Sequence, residues 1–215
     1  MRALLWAAVT AMALLAFAPG ASAAGTTRTP LATAGSDAEE TTFGDLTTDA
    51  LCSAAGATIA VAPAMTFSEG VIPSGPVKLD AVRKLLHEPE EKWAVLGLTG
   101  AQLRATLERA VSFAPTARAF FLQVSGLTVV FDPDAPRGHK VKSISVGPES
   151  LNDAASYEVA MPEGLAAGGL GYFTIFGNAP TVRSGTEGLA QLITRYVETQ
   201  GSVSYTGQGR LVIGR

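Results

Sequence analysis

The chain has 215 residues, of which 47% are hydrophobic and 16% are charged, a composition that excludes an intrinsically disordered protein and fits a globular one. Lys and Arg number 16 against 19 Asp and Glu, and the basic residues form no run, so a nucleic-acid partner is not expected. The single cysteine, Cys52, excludes an internal disulfide and fits a small buried residue on a helix.

The N-terminus has the layout of a secretory signal peptide. Arg2 supplies a positive charge, residues 3–18 are apolar except for Thr10, and Ala21-Ser22-Ala23 offers small side chains at the cleavage positions. The apolar run is shorter than the ~20 residues of a membrane-spanning helix. We therefore predict a signal peptide over residues 1–23 and a secreted or periplasmic protein of 192 residues (215 − 23), with no membrane partner after cleavage.

The next segment, residues 24–38, is small, polar and aperiodic, which predicts a flexible leader before an ordered domain over residues 39–215. Apolar residues at helical spacing then predict a helix over Thr42–Ala55, ended by Gly56. Residues 57–62 form a short apolar run that predicts a buried strand.

The middle of the chain continues this alternation. Residues 79–87 predict a short helix and residues 93–98 a strand. Thr99 and Gln102 stand at the spacing of a capping box, so a helix is expected to begin there, with a stripe of apolar residues running to Val111.

The second half is richer in strands, which are predicted at 121–131, 141–146, 157–161 and 211–213, with an amphipathic helix from Leu189. Residues 132–140 faintly resemble a calcium loop, but Pro136 occupies the next alternate ligand position after Asp132 and Asp134, so we interpret them as a turn. The order of elements predicts an α+β fold of mixed sheets flanked by helices.

Residues that carry catalysis are hard to find in this sequence. A two-metal phosphoesterase site needs several His and Asp ligands, whereas His87 and His139 are the only histidines and neither lies in a ligand-spaced cluster. A Gly-Asp-Ser esterase block is also excluded, because Leu46 stands where the serine nucleophile would be. Neither a metal site nor a cofactor is therefore expected.

The stretch LAAGGLGYFTIF, residues 165–176, has two interpretations. Its glycines and aromatic rings could hold a flat ligand, or they could form a tight turn into the core. The stretch does not match the G-x-G-x-x-G fingerprint, because Thr174 takes the last glycine position.

Five blocks of the sequence occur in an order that resembles a known family. They are ETTFGDLTTDAL (40–51), IPSGPVKL (72–79), LTGAQLRATLE (98–108), FLQVSGLTVVFDP (121–133) and LAAGGLGYFTIF (165–176). Together they closely resemble the C-terminal domain of secreted and periplasmic 5′-nucleotidases and UDP-sugar hydrolases, from about residue 39 to the C-terminus. The resemblance implies the fold of that domain, which in the family binds the nucleoside base between two aromatic rings. A separate N-terminal metallophosphatase domain performs the hydrolysis in the family, and we expect it to be missing here.

Several positions depart from the family pattern. The position of a family arginine is Glu69, the positions of the two stacking rings are Pro89 and Gly164, and the position of an acid after Gly-Gly is Leu170. Exchanging a cation for an anion repels a phosphate, and each lost ring removes roughly 1–3 kcal/mol of stacking. The resemblance therefore implies a degenerate nucleotide site in which the glycines are kept for backbone reasons, with Tyr172, Phe173 and Phe176 packed inward.

These observations leave two functional hypotheses. The first is a secreted, non-catalytic binding or scaffold module, and the second is a specificity subunit that works with a separate metallophosphatase chain in nucleotide or nucleotide-sugar hydrolysis. An enzyme with chemistry of its own is disfavoured because no nucleophile or metal cluster is visible. Phe67, Trp93 and Tyr172 offer an alternative aromatic site for a different ligand. The candidate residues of the remnant pocket are Phe67, Glu69, Trp93, Gly168, Gly169 and Tyr172.

Overall fold

A computed structural model of the chain describes residues 23–214. The predicted signal peptide, apart from Ala23, lies outside the described residues, so its cleavage stays a prediction. Within the described part of the chain, no helix is both long enough and apolar enough to cross a membrane.

The described residues form six α-helices and fourteen strands. The helices are α1 (Thr42–Ala55), α2 (Leu79–Lys84), α3 (Gly100–Ala110), α4 (Glu163–Ala166), α5 (Phe173–Phe176) and α6 (Leu189–Gln200). The strands are β1 (Gly25–Thr27), β2 (Leu31–Ala32), β3 (Ile59–Pro63), β4 (Val71–Ile72), β5 (Gly75–Val77), β6 (Trp93–Thr99), β7 (Leu122–Ser125), β8 (Leu127–Phe131), β9 (Val141–Val146), β10 (Glu149–Ser150), β11 (Ser156–Pro162), β12 (Thr181–Gly185), β13 (Ser202–Val203) and β14 (Leu211–Ile213).

A five-stranded sheet in the order β12-β6-β11-β3-β7 divides the molecule into two cores. The sheet is mixed, because β11 runs parallel to β3 and antiparallel to β6. Successive residues of a strand point to opposite faces, and the sheet follows this rule: Ala60 and Ala62 of β3 face one core, while Ile59 and Val61 face the other. The predicted α+β fold is confirmed.

The first core lies between the sheet and helices α1, α2 and α6. Helix α1 has the bounds that the sequence predicts, because both of its ends are capped. The Thr41 side chain accepts a hydrogen bond from the Gly44 N–H, and Gly56 takes the left-handed conformation that closes the C-terminus.

The second core lies between the other face of the sheet, helix α3 and a four-stranded sheet in the order β10-β9-β8-β14. Helix α3 begins with the predicted capping box of Thr99 and Gln102. The single strand predicted over residues 121–131 is two strands, β7 and β8, that belong to different sheets. Gly126 turns the chain between them with φ = 74°, and a Cβ atom there would lie 1.8 Å from the Thr58 carbonyl oxygen.

The prediction of a flexible leader over residues 24–38 is wrong. Strand β1 pairs with β5 and β13, and β2 pairs with β4, so the ordered domain begins well before residue 39. Leu31 is fully buried, and the buried Gln123 side chain donates hydrogen bonds to the carbonyl oxygens of Ser36 and Glu39. Strands of two or three residues are too short to produce a hydrophobic period, which explains why the sequence pattern missed them.

Candidate functional site

A cleft opens beside the N-terminal end of helix α4 and the glycine stretch of residues 168–171. It consists of two adjoining pockets that share Met65 and His87 on their common wall. Their volumes are about 450 and 260 Å³, which together suit a small organic ligand. Met65 is half exposed at this wall, so its apolar side chain is available for contact.

The first pocket, called the N-terminal pocket below, is lined on one side by residues 33–37 and on the other by residues 64–69. Its wall depends on Gln123, because this side chain binds the main chain on both sides of Asp37. Two carboxylates, Asp37 and Glu69, belong to the lining. Residues 33–37, which belong to the segment predicted to be a flexible leader, therefore form one side of this pocket.

The second pocket, called the glycine-loop pocket below, is mainly apolar. Pro63, Met65, Leu165 and Leu170 supply its apolar surface, and Gly164 and Gly169 bring main chain to the edge of the cavity. Glu88 and Glu91 also line this pocket.

The glycine loop has a special backbone. Gly168 and Gly171 have φ angles of 86° and 80°, and Leu170 between them has φ = 56°, which is rare for a residue with a side chain. A Cβ atom at Gly168 would lie 2.7 Å from the Cα atom of Phe173, so the tight turn needs glycine for space as well as conformation.

Arg109 of helix α3 holds this loop from inside the protein. Its guanidinium carbon lies 4.8 Å from the ring centroid of Phe120 and 5.1 Å from that of Tyr172. One Nη atom donates a hydrogen bond to the main-chain oxygen of Leu170. The loop that lines the cleft is thus positioned by a cation stacked on two aromatic rings.

Four acidic side chains belong to the lining of the cleft. Asp37, Glu69, Glu88 and Glu91 line it, no Lys or Arg does, and among the described residues none of these four carboxylates forms an ion pair. Glu91 accepts a hydrogen bond from the Gly164 N–H at 3.0 Å. Burial, together with the nearby charges of Glu88 and Glu163, raises the pKa of the Glu91 carboxyl in spite of that bond. Such a cleft repels a phosphate.

The structure brings some of the candidate residues together and separates others. Phe67 and Glu69 line the N-terminal pocket, and Gly169 lines the adjoining glycine-loop pocket. Gly168 is buried behind the loop and belongs to the lining of neither pocket.

The alternative aromatic site is wrong, because the three rings do not meet. Phe67 and Trp93 belong to the first core, where Phe67 packs edge-on against Phe43, whereas Tyr172 lies on the other side of the sheet in the second core. Tyr172 is fully buried, stacks on Phe176 and donates its hydroxyl hydrogen bond to the Phe120 carbonyl.

The glycine loop was interpreted as a turn that packs three aromatic rings into the core, and two of the three rings do so. Tyr172 and Phe176 are buried as predicted, but Phe173 is 64% exposed, so the prediction that it packs inward is wrong. Phe173 begins the single turn of α5, and its N–H donates a hydrogen bond to the Gly168 carbonyl, whereas its side chain lies in solvent.

Three of the four positions that depart from the family pattern line the cleft: Glu69, Gly164 and Leu170. Pro89 lines neither pocket, and its carbonyl oxygen accepts a hydrogen bond from the Ala190 N–H at the start of helix α6. His87 is exposed on the cleft wall, but among the described residues no group of three or more His, Cys, Asp and Glu side chains is arranged to hold a metal ion.

Comparisons with known proteins agree with this architecture. The sequence profile of the family described as "5′-nucleotidase, C-terminal domain" matches residues 21–178. A snake venom 5′-nucleotidase of Naja atra is 30% identical over 126 residues, which are 55% of this chain and 24% of that protein. A snake venom 5′-nucleotidase of Crotalus adamanteus is 28% identical over the same length. The chain therefore spans about a quarter of the length of these relatives.

Solved structures show the same fold. A 5′-nucleotidase precursor from Thermus thermophilus superposes with a TM-score of 0.81 at 26% identity, covering 89% of this chain and 39% of the other. The NAD nucleotidase of Haemophilus influenzae gives a TM-score of 0.75 at 13% identity, covering 91% of this chain and 39% of that one, which supports the fold alone.

Proposed function

Because the chain belongs to the family of 5′-nucleotidase C-terminal domains, we propose that it is a secreted binding module that holds a small organic ligand in the cleft and does not hydrolyse it. One observation carries this proposal: the cleft keeps its glycine loop but is lined by four carboxylates and no Lys or Arg. A ligand without phosphate, either neutral or positively charged, fits such a site better than a nucleotide does.

The absence of hydrolysis is tested with the mature protein on AMP, UDP-glucose and a chromogenic phosphate ester, each with Mn²⁺, Zn²⁺ or Co²⁺. We expect no turnover, since the described residues provide no metal-ligand cluster. Metal-dependent turnover that persists through re-purification and disappears with EDTA would contradict the proposal.

Binding is tested by thermal shift against nucleosides, nucleotides, sugars and organic amines. A ligand that binds only the folded state raises the melting temperature. We expect a shift from a neutral or cationic compound that M65R abolishes while leaving the protein folded, because Met65 is half exposed on the wall that the two pockets share and can be replaced without disturbing the core. The export that this function requires is tested by mass spectrometry of secreted material, which should begin at or near Ala24.

A second candidate is a specificity subunit for a separate metallophosphatase. It is supported by the family match, because the described residues have the fold of the C-terminal domain of 5′-nucleotidases. Mixing the mature protein with a metallophosphatase from the same source should then change the kcat/KM of that enzyme between substrates, whereas an unchanged kcat/KM contradicts this role.

A further inference from the structure

A second group of ionisable residues lies outside the lining of the cleft, at the start of helix α1 under the C-terminal segment. Asp45 is fully buried, and neither of its carboxyl oxygens has a hydrogen-bond partner among the described residues. The nearest cation, Arg210, approaches only to 3.5 Å between its Nε atom and Asp45 Oδ1. A buried carboxylate without hydrogen bonds is costly, so this group needs an explanation.

Neighbouring carboxylates make the ionisation of Asp45 less favourable. Glu40 and Asp49 bring two more carboxylates toward it, so three acidic groups surround the one guanidinium of Arg210. Asp49 already uses that guanidinium, in an ion pair of 2.9 Å, and also accepts hydrogen bonds from Ser125 and Tyr205. Tyr196 and Cys52 complete the titratable groups of this cluster. Arg210 therefore offsets only part of the charge that three ionised carboxylates would bring.

Glu40 connects the cluster to the C-terminus. Its carboxylate accepts hydrogen bonds from four consecutive main-chain N–H groups, those of residues 208–211, with N···O distances of 2.6 Å to Arg210 and 2.9 Å to Leu211. These bonds lead directly into strand β14, which pairs in parallel with the edge of β8. The segment lies beyond the residues that the family profile matches.

We propose that Asp45 carries a proton that it shares with Glu40, and that this proton locks the C-terminal segment, residues 208–213, onto the domain. When Asp45 is protonated, its O–H group can donate a hydrogen bond, and the adjacent Glu40 carboxylate accepts it. An ionised Asp45 would instead be repelled by Glu40 and Asp49, and it would gain water only if the segment that carries Arg210 moved away. Release of that segment would leave the edge of β8 free to pair with another strand.

The direction of the pH effect follows from the burial of Asp45. Burial raises the pKa of the Asp45 carboxyl from 3.8 to about 8, against the opposing attraction of Arg210. When the segment opens, the carboxyl becomes solvated and its pKa falls toward the ordinary value. The closed state then binds more protons than the open state between about pH 4 and pH 8, so closure weakens as pH rises through this window, by at most about tenfold per pH unit.

Amide hydrogen exchange of residues 208–213 between pH 5 and pH 8 tests this lock. After correction for the intrinsic exchange rate, protection in the parent should fall with pH, up to tenfold per unit. In D45N it should stay constant, because the Asn amide donates to Glu40 at every pH. D80N, which changes an exposed aspartate of helix α2, should keep the parental slope. Equal slopes in the parent and D45N would overturn the proposal.

A measurement on the parent protein alone keeps the test independent of any folding defect in D45N. The carboxyl ¹³C resonance of Asp45 should titrate above pH 6. A titration midpoint below pH 5 would show that no proton is held, and the lock would then be excluded even if the segment opens for another reason.

Discussion

Arg109 binds the main-chain oxygen of Leu170, a residue held at φ = 56°. The side chain that makes this bond comes from helix α3, and its guanidinium group packs over the rings of Phe120 and Tyr172. The strained backbone at the cleft is thus stabilised by a half-buried cation, whose buried Nε atom has no hydrogen-bond partner among the described residues.

R109M should destabilise the protein by about 2 kcal/mol. The change removes the stacked cation and leaves the Leu170 carbonyl without its donor. R104M on the same helix is the matched control, since Arg104 forms an exposed pair with Asp153 and its loss should cost less than about 1 kcal/mol. Urea unfolding of both variants measures the difference, and equal costs would contradict the role assigned to Arg109.

G168A should lower the free energy of unfolding by more than about 2 kcal/mol with or without a ligand. The alanine must keep φ near 86°, and its Cβ atom would collide with the main chain of Phe173. G56A is the control, because Gly56 has a similar positive φ but open space around the added Cβ, so only the conformational cost of about 1 kcal/mol remains. A G168A variant as stable as G56A would show that the loop can relax.

The sequence predicts the elements that have a clear period or cap and misses those that depend on distant partners. Helix α1 has its predicted bounds because Thr41 and Gly56 are local signals. Strands β1 and β2 were missed because their order comes from partners more than 35 residues away, such as Val77 and Ile72. For the same reason the sequence does not indicate that Asp37 lies beside the cleft. Trp93, a predicted pocket residue, packs against Gly185 in the first core.

Q123M should loosen the N-terminal wall of the cleft. Gln123 is fully buried, and its amide accepts a hydrogen bond from the Thr41 N–H and donates to Ser36 and Glu39. Methionine keeps the size but leaves these main-chain groups unpaired, at a cost of about 3 kcal/mol.

Hydrogen exchange of residues 33–41 should become faster in Q123M than in Q191M, which changes an exposed glutamine of helix α6. If Q123M accelerates exchange only through global unfolding, the wall is held by other contacts.

The double variant E69R/G164F should acquire AMP binding that the parent lacks. Glu69 and Gly164 line the two adjoining pockets, so an arginine in one and an aromatic ring in the other would supply a phosphate partner and a stacking surface to the same cleft. A Cβ atom at Gly164 would lie 3.0 Å from Glu91 Oε1, which requires only a small movement of that side chain. Calorimetry with AMP and with adenosine distinguishes the contribution of the arginine from that of the ring, because the arginine should strengthen binding of AMP alone and the ring should strengthen binding of both.

E149R, at an exposed position on β10, controls for the added positive charge and should leave AMP binding undetectable. Binding of AMP by the parent, equal to that of the double variant, would mean that the acidic cleft does not exclude nucleotides.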